Sequence, residues 1–156
     1  MARATRTLTP ARATWAGLAF AGGLWTSPNT VLGLVLGLAG LVRGARLRRD
    51  GPALVFDHYP WGPGGALTLG QVILNTGADL DARCRTYADQ AAGRDPVHCR
   101  TIRLGDHERA HVLQYLVLGP LFLPLYLACG GISARNRFER AADRYALGGS
   151  WWPWAR

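Results

Sequence analysis

Residues 13 to 42 run for thirty positions without a charged side chain, between Arg3, Arg6 and Arg12 on one side and Arg43, Arg46, Arg48 and Arg49 on the other. Such a block must be buried in protein or lie in lipid, and this limits the fold more than any other feature of the chain. Ser27-Pro28-Asn29-Thr30 in its middle reads as a helix start, with Ser27 as N-cap and Pro28 at the first helical position. Two helices are expected, about Thr14 to Trp25 and Pro28 to Val42, each short of the roughly 20 residues that cross a bilayer. Glycines at 17, 22, 23, 33, 37 and 40 would let the two pack closely as a re-entrant or interfacial hairpin. Arginine on both flanks then places both ends on the cytoplasmic side of an inner membrane. A signal peptide ending at Ala19-Phe20-Ala21 and a hairpin buried in a soluble core are the rival expectations.

The chain has 156 residues, 49% of them hydrophobic and 18% charged, which suits one folded domain with a substantial core and argues against long disorder. Eighteen basic against ten acidic residues give +8, and every basic residue is arginine. No nucleic-acid module accompanies that charge, so anionic lipid is the expected partner of the excess and nucleic acid is not expected. Cys84, Cys99 and Cys129 have neither zinc-knuckle spacing nor disulfide-scaffold density. Cys84 and Cys99 read as reduced thiols flanking a polar loop, with a bridge as the alternative, and Cys129 as a small core residue.

Beyond Asp50-Gly51-Pro52, the stretches Ala53 to His58 and Ala66 to Asn75 read as two strands of an antiparallel hairpin around the Pro60 to Gly65 turn. Residues 76 to 100 are polar and suggest a short helix near Ala78 to Ala92. A helix opens at about Asp106, as N-cap, and ends at Gly119-Pro120; Leu121 to Ala128 is apolar, Gly130-Gly131 breaks the chain, and Asn136 to Leu147 is amphipathic. The tail Trp151-Trp152-Pro153-Trp154 suits either a headgroup layer or packing back onto the domain.

His107-Glu108-Arg109-Ala110-His111 matches H-E-x-x-H in a helical context. Residues four apart share a helix face, so His107 and His111 can turn imidazole nitrogens to one Zn²⁺ while Glu108 projects beside its open position as a general base. A chance match in a chain with four His and two Glu is on the order of one in a thousand. Catalytic zinc usually takes a third protein ligand, and the only other glutamate, Glu139, follows 28 residues after His111. Gln114 and Tyr115, three and four residues beyond His111, can support the ligands from behind or simply pack. Tyr145 reads as an ordinary packed tyrosine, and His58 and His98, without ligand spacing, as surface or capping residues.

Glu139-Arg140-Ala141-Ala142-Asp143 together with H-E-x-x-H resembles the gluzincin metallopeptidases, most closely the membrane-embedded group of CAAX prenyl proteases and bacterial stress-induced membrane endopeptidases, whose third ligand sits in E-x-x-A-D. The resemblance covers little more than residues 105 to 147. It implies zinc held by His107, His111 and Glu139, Glu108 as base, and Asp143 orienting a ligand histidine. The chain also resembles a class of short bacterial proteins combining S-P-N-T, G-A-L-T-L-G, H-E-R-x-H-x-x-Q and G-P-L-F-L-P. The expected fold is α+β, a minimal zincin-like domain over 51–156 with a small antiparallel sheet, an active-site helix and a third-ligand helix. Residues 1–50 form its apolar, membrane-associating hairpin. The expected function is a membrane-associated zinc metallopeptidase acting on peptide or protein, with Ala66 to Asn75 as the strand edge that receives substrate. A zinc-binding structural or interaction protein without turnover is the alternative.

Overall fold

A computed structural model describes residues 21–62, 64–77 and 79–155; the expected first arm of the apolar hairpin, up to residue 20, and the rival cleavage site lie essentially outside them. The fold is mixed α+β. Residues 21–25 are helical, and after a turn at Thr26 comes α1 (Ser27–Leu41), so Ser27 is the first helical residue and Thr26, not Ser27, is the N-cap. β1 (Arg46–Asp50), β2 (Ala53–Asp57), β3 (Ala66–Leu69) and β4 (Val72–Asn75) form one sheet in the order β1-β2-β4-β3. β5 (Arg83–Arg85) and β6 (Thr101–Arg103) pair separately around a loop that carries α2 (Tyr87–Ala91). Then follow α3 (Leu104–Leu118), a single 3₁₀ turn, α4 (Phe122–Ala128) and α5 (Arg137–Ala146).

The sheet departs from the expected two-stranded hairpin. Gly70, at φ +62°, and Gln71 make a two-residue turn inside 66–75, folding that stretch onto itself as β3 and β4. Its second half therefore runs parallel to β2, with Leu54 opposite Val72 and Phe56 opposite Leu74. β1, read as a basic flank, is an edge strand antiparallel to β2; its exposed arginines are the kind of side chain that keeps an edge from pairing further. The helix expected over 78–92 shrinks to α2, because Thr86 caps it by accepting from the Asp89 amide and Asp89 in turn accepts from the Arg100 amide, closing the loop at residue 92.

Strand alternation gives the sheet two apolar faces. On one, Phe56, Leu69, Val72 and Leu74 meet Leu34, Leu36 and Leu41 of α1. The α1 glycines expected to face a second helix instead face the sheet: a Cβ on Gly33 would strike Val72, on Gly37 the Phe56 ring, and on Gly40 Tyr59. On the other face Ala53, Val55 and Ile73 pack on Val112 of α3, with Leu80, Leu104 and Leu116 alongside. α3 starts two residues before the expected Asp106 because the Leu104 and Gly105 amides donate to the carbonyls of Ala82 and Leu80, satisfying the helix end without a side-chain cap. Asp106 sits in the first turn and accepts from Arg109 at 2.7 Å. A third cluster, Tyr115, Phe122 and Phe138, joins α3, α4 and α5, with Cys129 at its margin. The aromatic tail folds back, placing Trp154 edge-on to Phe138 at 5.6 Å.

By length and composition Leu104–Ala128 is one helical run apolar enough to cross a membrane. Gly119, at φ +55° with Trp25 where a Cβ would stand, breaks it between α3 and α4.

Candidate metal centre

α3 carries His107 and His111 one turn apart, and α5 packs beside it so that Glu139 meets both. The Asn136 side chain starts α5 by accepting from the Phe138 amide while donating to the carbonyls of Tyr126 and Gly131, which fixes the return of the chain after α4. His107 Nε2 lies 2.9 Å from Glu139 Oε2, His111 Nε2 lies 3.2 Å from His107 Nε2, and His111 Nε2 lies 3.5 Å from Glu139 Oε2. All three residues are buried, and together they form a group that can hold a metal ion. A tetrahedral zinc with bonds of about 2.0–2.1 Å sets its ligand atoms roughly 3.3–3.4 Å apart, a value that these separations of 2.9 to 3.5 Å bracket.

The other ring nitrogens are held from behind. His107 Nδ1 is 3.0 Å from Asp143 Oδ1, whose partner oxygen accepts from the Tyr87 amide at 2.8 Å. His111 Nδ1 is 2.9 Å from Gln114 Oε1. The Gln114 amide group donates to the carbonyls of Trp151 and Phe138 at 2.9 and 3.3 Å, which settles which end of the side chain faces the histidine. Acceptors at both Nδ1 atoms place the protons there and leave both Nε2 lone pairs for a metal. Burial opposes a charge on His107, but the hydrogen bonds with Asp143 and Glu139 and the nearby Glu108 override it and push its pKa up to about 10. Burial likewise opposes charge on Glu139, and bonds to His107 and His111 hold its carboxyl well below the usual carboxylate range.

Glu108 points toward β3, where the Thr68 hydroxyl donates to its Oε2 at 2.6 Å. β3 is a sheet edge. The Thr76 amide donates to the Gly65 carbonyl, so Gly65–Thr76 and Leu67–Leu74 are bonded pairs in an alternating ladder, and Ala66 and Thr68 turn their N–H and C=O groups to the free side. That side borders two adjoining cavities of about 400 and 350 Å³ lined by His107 and Glu108.

Thr68, Tyr87 and Tyr126 carry no sequence signal as site residues. Tyr126 donates its hydroxyl to Glu139 Oε1, and burial, with the Glu139 charge, raises the pKa of this phenol and keeps it a donor. The Tyr87 ring stands 5.7 Å from that of His107. Tyr115 packs on Phe122 at 3.9 Å and does not hold a ligand. Tyr145 lines neither cavity, and His58 and His98 are exposed, away from the centre. All three cysteines are free thiols, with burial raising the pKa of Cys84. No protein-family model, curated protein or solved structure matches the chain.

Proposed function

We infer that the protein is a membrane-associated zinc metallopeptidase with a zincin-like arrangement of edge strand, active-site helix and third-ligand helix. One observation carries this reading: the two Nε2 atoms and Oε2 meet at tetrahedral spacing at the floor of an open cavity, with Glu108 beside them. A structural zinc is closed by four protein ligands, whereas three ligands and an open side suit reaction. Zinc held by His107, His111 and Glu139 would polarise a water molecule and lower its pKa toward about 7. The Thr68 hydroxyl fixes one Glu108 oxygen and leaves the other to take the water's proton. A substrate strand pairs with the free groups of Ala66 and Thr68, which sets its carbonyl over the ligand group. The water oxygen bonds to that carbonyl carbon, the C–N bond breaks, and Glu108 returns the proton to the leaving amine. Asp143 and Gln114 keep the two imidazoles in register throughout.

Lipid contact is supported by α1, whose outward residues Val31, Val35 and Leu38 are all more than half exposed on one face, as is Val42 just beyond its end, with Arg43 following. The helix lies flat on the sheet by its glycine face, so that it rests in the interface and does not cross. The arginine flanks favour the cytoplasmic side of an inner membrane.

Elemental analysis of protein purified without added metal is expected to give about one zinc per chain. Glu108→Gln is expected to keep that zinc and lose all peptide hydrolysis. Zinc retained without hydrolysis by either form would instead support a structural metal-binding protein, and zinc absent even after reconstitution would remove both readings.

A further inference from the structure

Gln114 holds His111 at Nδ1, but a glutamine amide can turn either end to an imidazole. With its oxygen inward it accepts the Nδ1 proton and leaves the Nε2 lone pair for a metal. With its NH2 group inward it donates to Nδ1, and the ring proton moves to Nε2, where the metal should bind. The choice is made at the far end of the side chain. Gln114 is fully buried, so its NH2 group must find acceptors within the protein, and it has two. The Phe138 carbonyl, at 3.3 Å, lies inside α5 and also serves the helix ladder. The Trp151 carbonyl is closer, at 2.9 Å, and comes from outside every helix and strand.

That carbonyl belongs to a lightly held segment. Gly148, at φ +88° with nothing near its Cβ position, follows the end of α5 and lets the chain turn back. Arg144 then donates to the Trp152 carbonyl at 3.0 Å, and Trp154 stands edge-on to Phe138 at 5.6 Å, with the Arg137 guanidinium 5.6 Å from its ring. Trp154 is still 43% exposed. We propose that the aromatic segment 148–155 is a strap that sets the metal affinity of the centre. Docked, its Trp151 carbonyl holds Gln114 in the orientation that frees His111 Nε2; lifted, it releases that orientation. This rests on zinc occupying the ligand group and not on turnover. The coupling runs both ways, since whatever the strap adds to zinc affinity, zinc adds to strap docking. His107 is held by Asp143 and lies outside this path, so lifting the strap weakens the centre without abolishing it.

The test titrates zinc against a chromogenic chelator in the full chain. Trp152→Ala with Trp154→Ala removes the strap's aromatic anchors and no charge. It is expected to weaken zinc binding about tenfold, as loss of a group that orients a ligand histidine does. In a Gln114→Met background the same pair should change affinity less than about twofold, because the path is already cut. In an Asp143→Ala background it should keep its full effect, whereas a merely destabilising pair would act alike in all three. Arg144→Leu, which removes the bond to the Trp152 carbonyl, is the second way to lift the strap should the tryptophan pair fail to fold. In the unaltered chain, hydrogen exchange at the amides of 148–155 is expected to slow about tenfold on adding zinc, and not to do so in Gln114→Met. Unchanged affinity on lifting the strap, the same loss in the Gln114→Met background, or exchange indifferent to zinc overturns the proposal. Intact coupling with no peptide hydrolysis by zinc-loaded wild type leaves this inference standing and sinks the peptidase reading. Hydrolysis without coupling does the opposite.

Discussion

His107 is gripped by a carboxylate at each ring nitrogen, Asp143 at Nδ1 and Glu139 at Nε2, and without metal a proton takes the place the ion would hold. Its pKa is raised from 6.5 to about 10, so its contribution to stability is complete below about 6.5 and is lost as pH rises toward 10. The Glu139 carboxyl is depressed below 4.5, so its contribution is complete above about 4.5 and is lost as pH falls. The metal-free protein should therefore be most stable between about pH 4.5 and 6.5. Zinc requires neutral imidazole, so its stabilising effect should grow from pH 6 to pH 9 as the competing proton leaves. Thermal melts with chelator and with zinc check this, and a metal-free melting temperature unchanged from pH 5.5 to 9 would contradict it. Asp143→Ala should weaken zinc binding about 10–100-fold, and Glu139→Ala far more, both read by competition with a chromogenic chelator. Equal affinity of Glu139→Ala and wild type would remove it from the ligand set. The three residues that can hold a metal ion were legible because helical spacing and the scarcity of glutamate expose them. Thr68, Tyr87 and Tyr126 were not, because each arrives from a separate element and only packing brings it to the centre.

At the scale of elements, α1 shows two faces with opposite demands. Gly33, Gly37 and Gly40 lie against the sheet, where the Gly37 position would place a Cβ 2.3 Å from the Phe56 ring. Gly37→Val should therefore cost about 1–3 kcal/mol by overpacking, seen as a lowered melting temperature. Val31 and Val35 point outward, 56% and 59% exposed, and the double change Val31→Glu, Val35→Glu should leave the melting temperature nearly unchanged while releasing the protein from liposomes containing anionic lipid. Unchanged flotation with the vesicles would show that this face is not the lipid contact. α5 was legible almost to the residue, since Asn136 caps it and its apolar and polar positions separate cleanly. The sheet was not. A Gly-Gln turn inside a mostly apolar stretch looks like one strand until its reversal is seen, and arginine-rich β1 carries no apolar alternation because its side chains are exposed on both faces.

For the whole molecule, the course of Leu104–Ala128 decides how the chain sits at a membrane. The run passes by length and composition as a crossing helix. Yet α3 delivers His111 to within 3.5 Å of Glu139 on α5, which lies beyond the end of that run. A crossing would carry the chain about 30 Å away before α5 began. The left-handed turn at Gly119, the following Pro120 and the separate axis of α4 let the chain leave the sheet, double back and close the centre instead. Asn29 reinforces the bend by donating to the Gly119 carbonyl at 3.2 Å. Positions before and after the run should thus face the same compartment. With Cys84, Cys99 and Cys129 replaced by serine, single cysteines at Val97, 85% exposed, and Leu147, 45% exposed, should react equally with an impermeant maleimide in lysed cells. Both should be protected while the inner membrane is intact. Labelling of one and protection of the other would mean that the run crosses, and a crossing run cannot coexist with a centre built from His107, His111 and Glu139.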